Sequence, residues 1–492
     1  MTERLERAIL GRLSPSPEER ILWWNGEWWR TDRFLAFIDD CTEKLRSSGF
    51  GKGQRVAALL PNSPKVLALS IAAWRLGGAI SPLNAKSGIP SAVGTLELVD
   101  PFCVVLAHGL DDLAAALAEK GIPSVFTGAD DPLPILTRRD GTPESEDLAV
   151  IFATSGTTGL PKAVPLTHGN LYDNATTVFR HLTELHEGDT LLNVLPNFHS
   201  FGYTVAGLMP LLCNMKQTIL PSFLPLNGAL KAMNDSEISA MIVVPTMLSL
   251  ALSAIEHGAT VPGKLRLIVT GGDRLNVQLD ERVRGVMGVG PLEGYGLTEC
   301  SPVVCVNRSY ATRKLGTVGP FIAGYTWKLL KENGEPADGN EGVLWVRGPS
   351  VTDRYFRDSV MTAERFSDGW FNTGDYVRID GEGNVTILDR VTDIIIVGGF
   401  NVYPQEVEAT LHAHPAIAQA IVVGMPHPVN GEVPMAYVRK KDGAEVTQRE
   451  IVEYCKSQLA HFKVPRKVEF IDTFPLSSTG KVLRRMLRQK AF

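Results

Sequence analysis

Four hydroxyls, two glycines and an ammonium crowd into Thr154-Ser-Gly-Thr-Thr-Gly-Leu-Pro-Lys162, directly behind the apolar run Leu148 to Phe152. The chemistry such a segment offers is anion binding. Gly156 and Gly159 carry no Cβ, so backbone N–H groups can close on a phosphate, while Thr154, Ser155, Thr157 and Thr158 add hydroxyl donors and Lys162 adds charge. The loop is not of the kind in which Gly-Lys-Ser/Thr opens a helix, because Pro161 precedes Lys162 and disfavours helix at Leu160. A plain turn between strands rarely carries all of these donors together.

Three later stretches combine glycine with an acid. Glu293-Gly-Tyr-Gly-Leu-Thr-Glu299 sets two glycines for close backbone approach, Tyr295 for stacking on a ring and Glu299 as an oxygen ligand for Mg²⁺. Thr270-Gly-Gly-Asp273 closes an apolar run, and Thr373-Gly-Asp375 offers a carboxylate that can accept from two vicinal hydroxyls. Taken singly, each also suits a turn. His199, within Asn197-Phe-His-Ser-Phe-Gly202, can meet a carboxylate in either protonation state, although a lone histidine is more commonly a packed core residue. Near the chain end, Ser477-Ser-Thr-Gly-Lys-Val-Leu-Arg-Arg485 has a Ser-Thr-Gly lead that a solvated basic tail does not need.

Together these stretches resemble, in content and in order, the adenylate-forming enzymes: the acyl-CoA synthetases, luciferases and peptide-synthetase adenylation domains. The resemblance runs from the hairpin at Ile21 to Lys481. It departs at Ala163, where Gly is usual, and at Thr392, where the hinge is commonly Asp or Lys. It implies ATP-dependent activation of a carboxylic acid to acyl-AMP, with Mg²⁺, followed by transfer to a pantetheine thiol. It further implies that Gly271, Gly272 and Asp273 line the adenine, and that Glu293, Gly294, Tyr295, Gly296 and Thr298 complete the nucleotide site. By the same resemblance Asp375 and Arg390 reach the ribose, and Thr154 and Glu299 hold the metal. Lys481 would bridge the substrate carboxylate and the α-phosphate. The mechanism asks for such a cation, because two anions meet and the transition state concentrates negative charge. His199, Phe201, Gly202 and Thr246 fall to the acyl pocket, with His199 positioning or gating the carboxylate. Thr392 falls to the hinge, and Gly398 and Gly399 to a pantetheine tunnel.

Asn197 to Gly202 and Val244-Pro-Thr-Met-Leu248 look most like the fatty acyl ligases of the group. The pocket they would line is apolar and has no acid to receive an amino group, so a medium- or long-chain fatty acid is expected rather than an amino acid. CoA is the expected acceptor, with an acyl carrier protein as the alternative. From Arg390 onward 14 Lys and Arg face 10 Asp and Glu, a net +4 that suits the phosphates of CoA and equally an acidic carrier protein. A luciferase-type oxygenase shares every motif. A non-catalytic ATP-binding protein should have lost some of Glu299, Asp375 and Lys481.

A chain of 492 residues exceeds what one core usually serves. Its formal charge of -5 gives no reason to expect nucleic acid. Six cysteines without CxxC spacing suit reduced thiols in a cytoplasm rather than a disulfide scaffold or a zinc site. No signal peptide or transmembrane run is read, and a peripheral lipid contact is left open. The elements that must position the motifs alternate. Asn25-Gly26 turns a Trp-rich hairpin, Thr31 caps an amphipathic helix, and buried strands then alternate with helices in two series before residue 300, as in parallel sheets. From Gly316 to Leu388 short alternating strands with Asn-Gly and Asp-Gly turns replace the helical period. The predicted fold is α/β. A large N-terminal domain over 1–389 holds two α/β sheet subdomains and a small barrel or curved sheet, and a smaller mobile α/β domain covers 390–492.

Overall fold

The computed structural model describes residues 3–137, 139, 141–154, 162–331, 333–398, 400–428, 430–476 and 482–491, with the side chain of Thr154 outside that set. Packing divides the chain into two units, Met1–Thr326 with Val346–Phe371 and Trp327–Trp345 with Asn372–Phe492.

The first unit is built on two mainly parallel sheets, as the alternation of strand and helix requires. One has six strands in the order Ser124–Phe126, Cys103–Leu106, Arg55–Leu59, Ala79–Pro82, Leu148–Thr154, Lys162–Thr167. The other has eight, in the order Val303–Val306, Pro291–Gly296, Leu267–Thr270, Ala240–Val243, Thr190–Asn193, Lys216–Ile219, Arg20–Trp24, Glu27–Arg30. The Trp-rich hairpin is therefore an edge of the second sheet, joined to it through Lys216–Ile219. Its Trp24 and Trp29 are buried in the core.

Helices cover the sheets through apolar stripes. Thr31–Ser47 buries Phe34, Ile38, Cys41 and Leu45, a spacing of three and four residues. Thr31 does not cap this helix as expected: Arg30 is the N-cap, and the Thr31 hydroxyl donates instead to the carbonyl of Glu19. Thr167 does cap His168–His181, with Asn170 completing the box.

The strand-rich stretch is a five-stranded sheet ordered Thr326–Leu330, Glu341–Arg347, Trp370–Ile379, Phe366–Ser367, with Val385–Arg390 also on Trp370–Ile379. Among the described residues this path has two ends, which is the curved-sheet form of the expectation rather than a closed barrel. Most of it packs within the second unit.

The rest of the second unit is a further five-stranded sheet under the helices Pro404–His412, Gln448–Gln458 and Arg484–Ala491. Its strands run Phe400–Val402, Ile395–Val397, Gly431–Lys440, Ile417–His427, with Lys467–Phe470 parallel to Gly431–Lys440. All six cysteines are free. No helix among the described residues is long and apolar enough to cross a membrane.

Candidate active site

The phosphate-loop residues connect two antiparallel strands, Leu148–Thr154 and Lys162–Thr167, with Thr154 directly opposite Lys162. Lys162 thus opens a strand antiparallel to Leu148–Thr154 and not a helix. Ser155, Gly156, Thr157, Thr158 and Gly159 lie outside the described residues, as does the side chain of Thr154. Lys162 is described, and its Nζ stands 5.6 Å from the ring centroid of Tyr355. Burial and the neighbouring Arg365 lower its pKa, while the carboxylate of Glu299 acts in the opposite sense.

Glu299 lies in a short 3₁₀ turn, Thr298–Cys300, just past the strand Pro291–Gly296. Its Oε1 accepts a 2.6 Å hydrogen bond from the hydroxyl of Tyr355. The strand reaches this turn only because residue 296 is glycine: a Cβ there would lie 2.2 Å from the carbonyl oxygen of Pro302. One segment then ties the parts together by backbone. The N–H of Thr352 donates to the carbonyl of Glu299 at 2.8 Å, the hydroxyl of Thr352 donates to the carbonyl of Pro165 at 2.6 Å, and the N–H of Phe356 donates to the carbonyl of Ala163 at 2.8 Å. Glu299 and Lys162 are therefore held to the same strap, and Tyr355 lies within it.

Beside this cluster, His199 begins a helical turn whose geometry is unusual. Phe201–Leu208 is a π-helix, in which the N–H of Met209 reaches back five residues to the carbonyl of Thr204. Such turns are frequent at functional sites. Gly202 permits the start, since a Cβ would lie 2.4 Å from the carbonyl oxygen of Pro196. His199 is half-buried and its Nδ1 accepts from the N–H of Phe201 at 3.4 Å. Ser200 donates to the hydroxyl of Thr298 at 3.2 Å, which links the helix start to the turn bearing Glu299. The ring of Phe201 lies against Gly271, at the end of the strand Leu267–Thr270. Phe201, Val244 and Met247 are half-exposed apolar groups on one core, whereas Thr246 is exposed in the first turn of Pro245–Glu256.

A hairpin whose turn is rich in glycine and hydroxyls, a tethered acid beside it and an adjoining apolar wall suit carboxylate activation by a nucleotide, and comparison with known proteins agrees. The AMP-binding enzyme family matches residues 13–356, and the AMP-binding enzyme C-terminal domain matches residues 406–481. This chain belongs to the AMP-binding enzymes. It is 33% identical to a feruloyl-CoA synthase of an Amycolatopsis species over 454 residues, 91% of this chain and 90% of that one. It is 34% identical to a long-chain-fatty-acid–CoA ligase of Haemophilus influenzae over 351 residues, 70% of this chain and 62% of that one. The crystal structure of ATP-bound MatB from Rhodopseudomonas palustris superposes with a TM-score of 0.90 at 29% identity, covering 100% of this chain and 99% of the other. As an AMP-binding enzyme of this kind, the chain is an AMP-forming acid–thiol ligase with the two-domain α/β fold expected from its motifs.

Several expected AMP-site residues have structural partners of their own. The carboxyl of Glu293 accepts from the N–H of Leu275 at 3.1 Å, bracing the turn that contains Gly271, Gly272 and Asp273. Burial pushes that carboxyl up to about 7. Gly294 and Tyr295 pair with Val306 and Cys305 across the sheet edge. In the second unit, Asp375 and Arg390 stand opposite each other on paired strands. Asp375 is only 2% exposed and accepts from Arg390 Nε at 2.7 Å. The two residues expected at the ribose are thus brought together.

Thr392 lies in the 3₁₀ turn Val391–Asp393, and its carbonyl accepts from Arg488 at 2.9 Å. Asp389, buried just before it, accepts from the N–H groups of Arg390 and Gln405, and burial pushes its carboxyl up to about 7. Gly398 has a φ of +58° and open space where a Cβ would be. Gly399 and Lys481 lie outside the described residues.

Among the described residues no three His, Cys, Asp or Glu converge as a metal cage. The single carboxylate of Glu299 fits Mg²⁺ nonetheless, because that ion is usually held by one or two carboxylates, with phosphate and water supplying the remaining oxygens. Tyr355 was missed by sequence reasoning. An aromatic in a strand-rich stretch reads as core, and no local pattern ties it to an acid 56 positions away.

Proposed function

We propose that this enzyme activates a medium- or long-chain fatty acid with ATP and passes the acyl group to CoA. The observation that carries the reading is the placement of Lys162 and Glu299 on one strap, beside the apolar face of Phe201, Val244 and Met247. In the first half reaction the acid's carboxylate attacks the α-phosphorus of ATP, forming the P–O bond of acyl-AMP as the bond to pyrophosphate breaks. Lys162 and the hydroxyls of Thr154, Ser155, Thr157 and Thr158 hold the leaving phosphates. Glu299 with Thr154 would hold Mg²⁺, which would supply charge neutralisation at the phosphates. Lys481 bridges the attacking carboxylate and the α-phosphate, His199 positions the carboxylate, Asp375 accepts from the ribose hydroxyls, and Arg390 donates to them.

In the second half reaction the thiolate attacks the acyl carbon and AMP leaves. Here the domain of residues 390–492 turns about Thr392, and Gly398 and Gly399 leave room for pantetheine. The similarity to relatives named as CoA ligases supports CoA as acceptor, and the net positive charge of that domain is compatible with its phosphates. Free cysteines support a reduced, cytoplasmic setting. The test is pyrophosphate release across a panel of carboxylic acids, with CoA and then holo acyl carrier protein added. Turnover with fatty acids and CoA is expected. Turnover only with carrier protein would replace the acceptor, preference for an aromatic acid would replace the substrate, and oxygen uptake with acyl adenylate would replace the second half reaction.

A further inference from the structure

Tyr355 is buried to 2% exposure, yet its hydroxyl is not lost in an apolar core. It ends at Glu299 Oε1, 2.6 Å away, and its ring faces Lys162 Nζ at 5.6 Å. The ring is fixed edge-on to Phe366 at 5.7 Å, and its backbone N–H donates to the hydroxyl of Thr362 at 3.0 Å. The strap on either side is anchored through Thr352 to the carbonyl of Glu299 and through Phe356 to the strand carrying Lys162. Such over-determination is more than packing a phenol requires.

We propose that Tyr355 is the positioning residue of the adenylation step: its hydroxyl holds one carboxylate oxygen of Glu299 so that the other is turned toward the metal, and its ring sets where Lys162 stands. The chemistry runs in one direction. A phenol hydroxyl 2.6 Å from a carboxylate oxygen is the donor of that pair. A hydrogen bond to an ionised acceptor is stronger than a neutral one and fixes its geometry. A carboxylate with one oxygen occupied binds a cation through the other, which suits Mg²⁺ and its strict octahedral demand.

This rests on the reading of Glu299 as the metal carboxylate, and the test separates the two. Tyr355→Phe keeps the ring and removes the hydroxyl, and Glu299→Gln removes the partner. Binding of Mn²⁺ with a non-cleavable α,β-methylene ATP is followed by electron paramagnetic resonance, alongside pyrophosphate release. Tyr355→Phe is expected to weaken metal–nucleotide binding and slow pyrophosphate release by about 10-fold or more, the size of a lost hydrogen bond to a charged group. Nucleotide binding without metal should stay unchanged. In the double variant the tyrosine change should add less than about 2-fold to Glu299→Gln, because the residues act as one unit. Full additivity, or wild-type metal binding in Tyr355→Phe, overturns the proposal. If Glu299→Gln alone binds Mn²⁺ and turns over normally, the metal reading of Glu299 fails and the positioning role falls with it. Should Tyr355→Phe lose its folded circular dichroism, Glu299→Asp replaces it: shortening the acid breaks the same bond without touching the phenol, and normal metal binding there overturns the proposal.

Discussion

The strap around Glu299 and the segment around Thr392 are both short pieces of chain for which a part in catalysis is proposed above, and they are held in different ways. In the first unit Thr352 and Phe356 fix the strap through backbone hydrogen bonds to Glu299, Ala163 and, by the Thr352 hydroxyl, Pro165. In the second unit the backbone ladder with Trp370–Ile379 ends at Arg390, and beyond it the carbonyl of Thr392 is held by a side chain, that of Arg488, which also pairs with Glu432. Backbone ties of the first kind break only with the fold. Side-chain ion pairs at a half-exposed surface are worth little each and can be exchanged. The difference fits one region built to hold a fixed constellation and another built to change its torsions.

The largest effect is expected at Glu299. Replacing it by Gln is expected to lower the rate of pyrophosphate release by about 10² to 10³, the usual effect of removing a group aimed at transition-state charge. Thioester formation from supplied acyl-AMP should persist. Single-turnover assays of each half reaction check this, and equal losses in both would mean that Glu299 serves the fold rather than the chemistry. A second, smaller break is steric. Gly202→Ala would set a Cβ 2.4 Å from the carbonyl oxygen of Pro196 and shift the start of the π-helix. It is expected to cost about 1–3 kcal/mol of stability and to raise KM for the acid more than for ATP. Unfolding curves and steady-state kinetics on both substrates decide it, and unchanged KM for the acid would remove this helix from the acyl pocket.

Much of this was legible in the sequence because its signals are local. The alternation of strand and helix, the cap at Thr167 and the glycines around Glu293 each lie within a few residues of what they specify. The hairpin form of the phosphate loop was half visible, since Pro161 excluded a helix but did not announce the strand Lys162–Thr167. Tyr355 was invisible because its partner comes from a distant turn, and the clamp of Arg488 on Thr392 was invisible for the same reason. The basic run from Lys481 to Arg485 was read as a chemical signature. In the structure Arg484 pairs with the carboxylate of Glu408, so part of that run serves the fold.

The clamp on Thr392 is the counterpart of the strap in the second unit. Arg488→Met keeps the unbranched apolar stem of the side chain and removes its donors to the Thr392 carbonyl and to Glu432. If this contact restrains a hinge, pyrophosphate release should change by less than about 2-fold while thioester formation shifts several-fold, because only the second half reaction calls on the turn. Rapid-quench measurement of both halves tests it. Equal effects on both would place the contact in general stability.

The smallest expected effect concerns Asp389, whose carboxyl burial raises from an ordinary 3.8 to about 7. An acid with a raised folded pKa keeps its proton in the folded state over a range where the unfolded chain has released it. The folded state then binds more protons, so this group's contribution to stability falls as pH rises from about 4 to about 7. Asp389→Asn removes the titration and keeps an acceptor oxygen for one of the two N–H groups, of Arg390 and Gln405, at a pH-independent cost in stability for the other. Denaturant midpoints of the variant should therefore vary less with pH than those of the wild type across that window. Glu293, raised to about 7 by burial in the first unit, carries the same sign, so Glu293→Gln should flatten the profile in the same way. The two differ in what protonation touches. The carboxyl of Glu293 braces a turn inside a sheet, whereas that of Asp389 stands next to Arg390–Thr392. Only Asp389→Asn should therefore also flatten the pH profile of thioester formation relative to adenylation. An identical kinetic profile in both variants would show that Asp389 is a buried acid of the fold and takes no part in the turn.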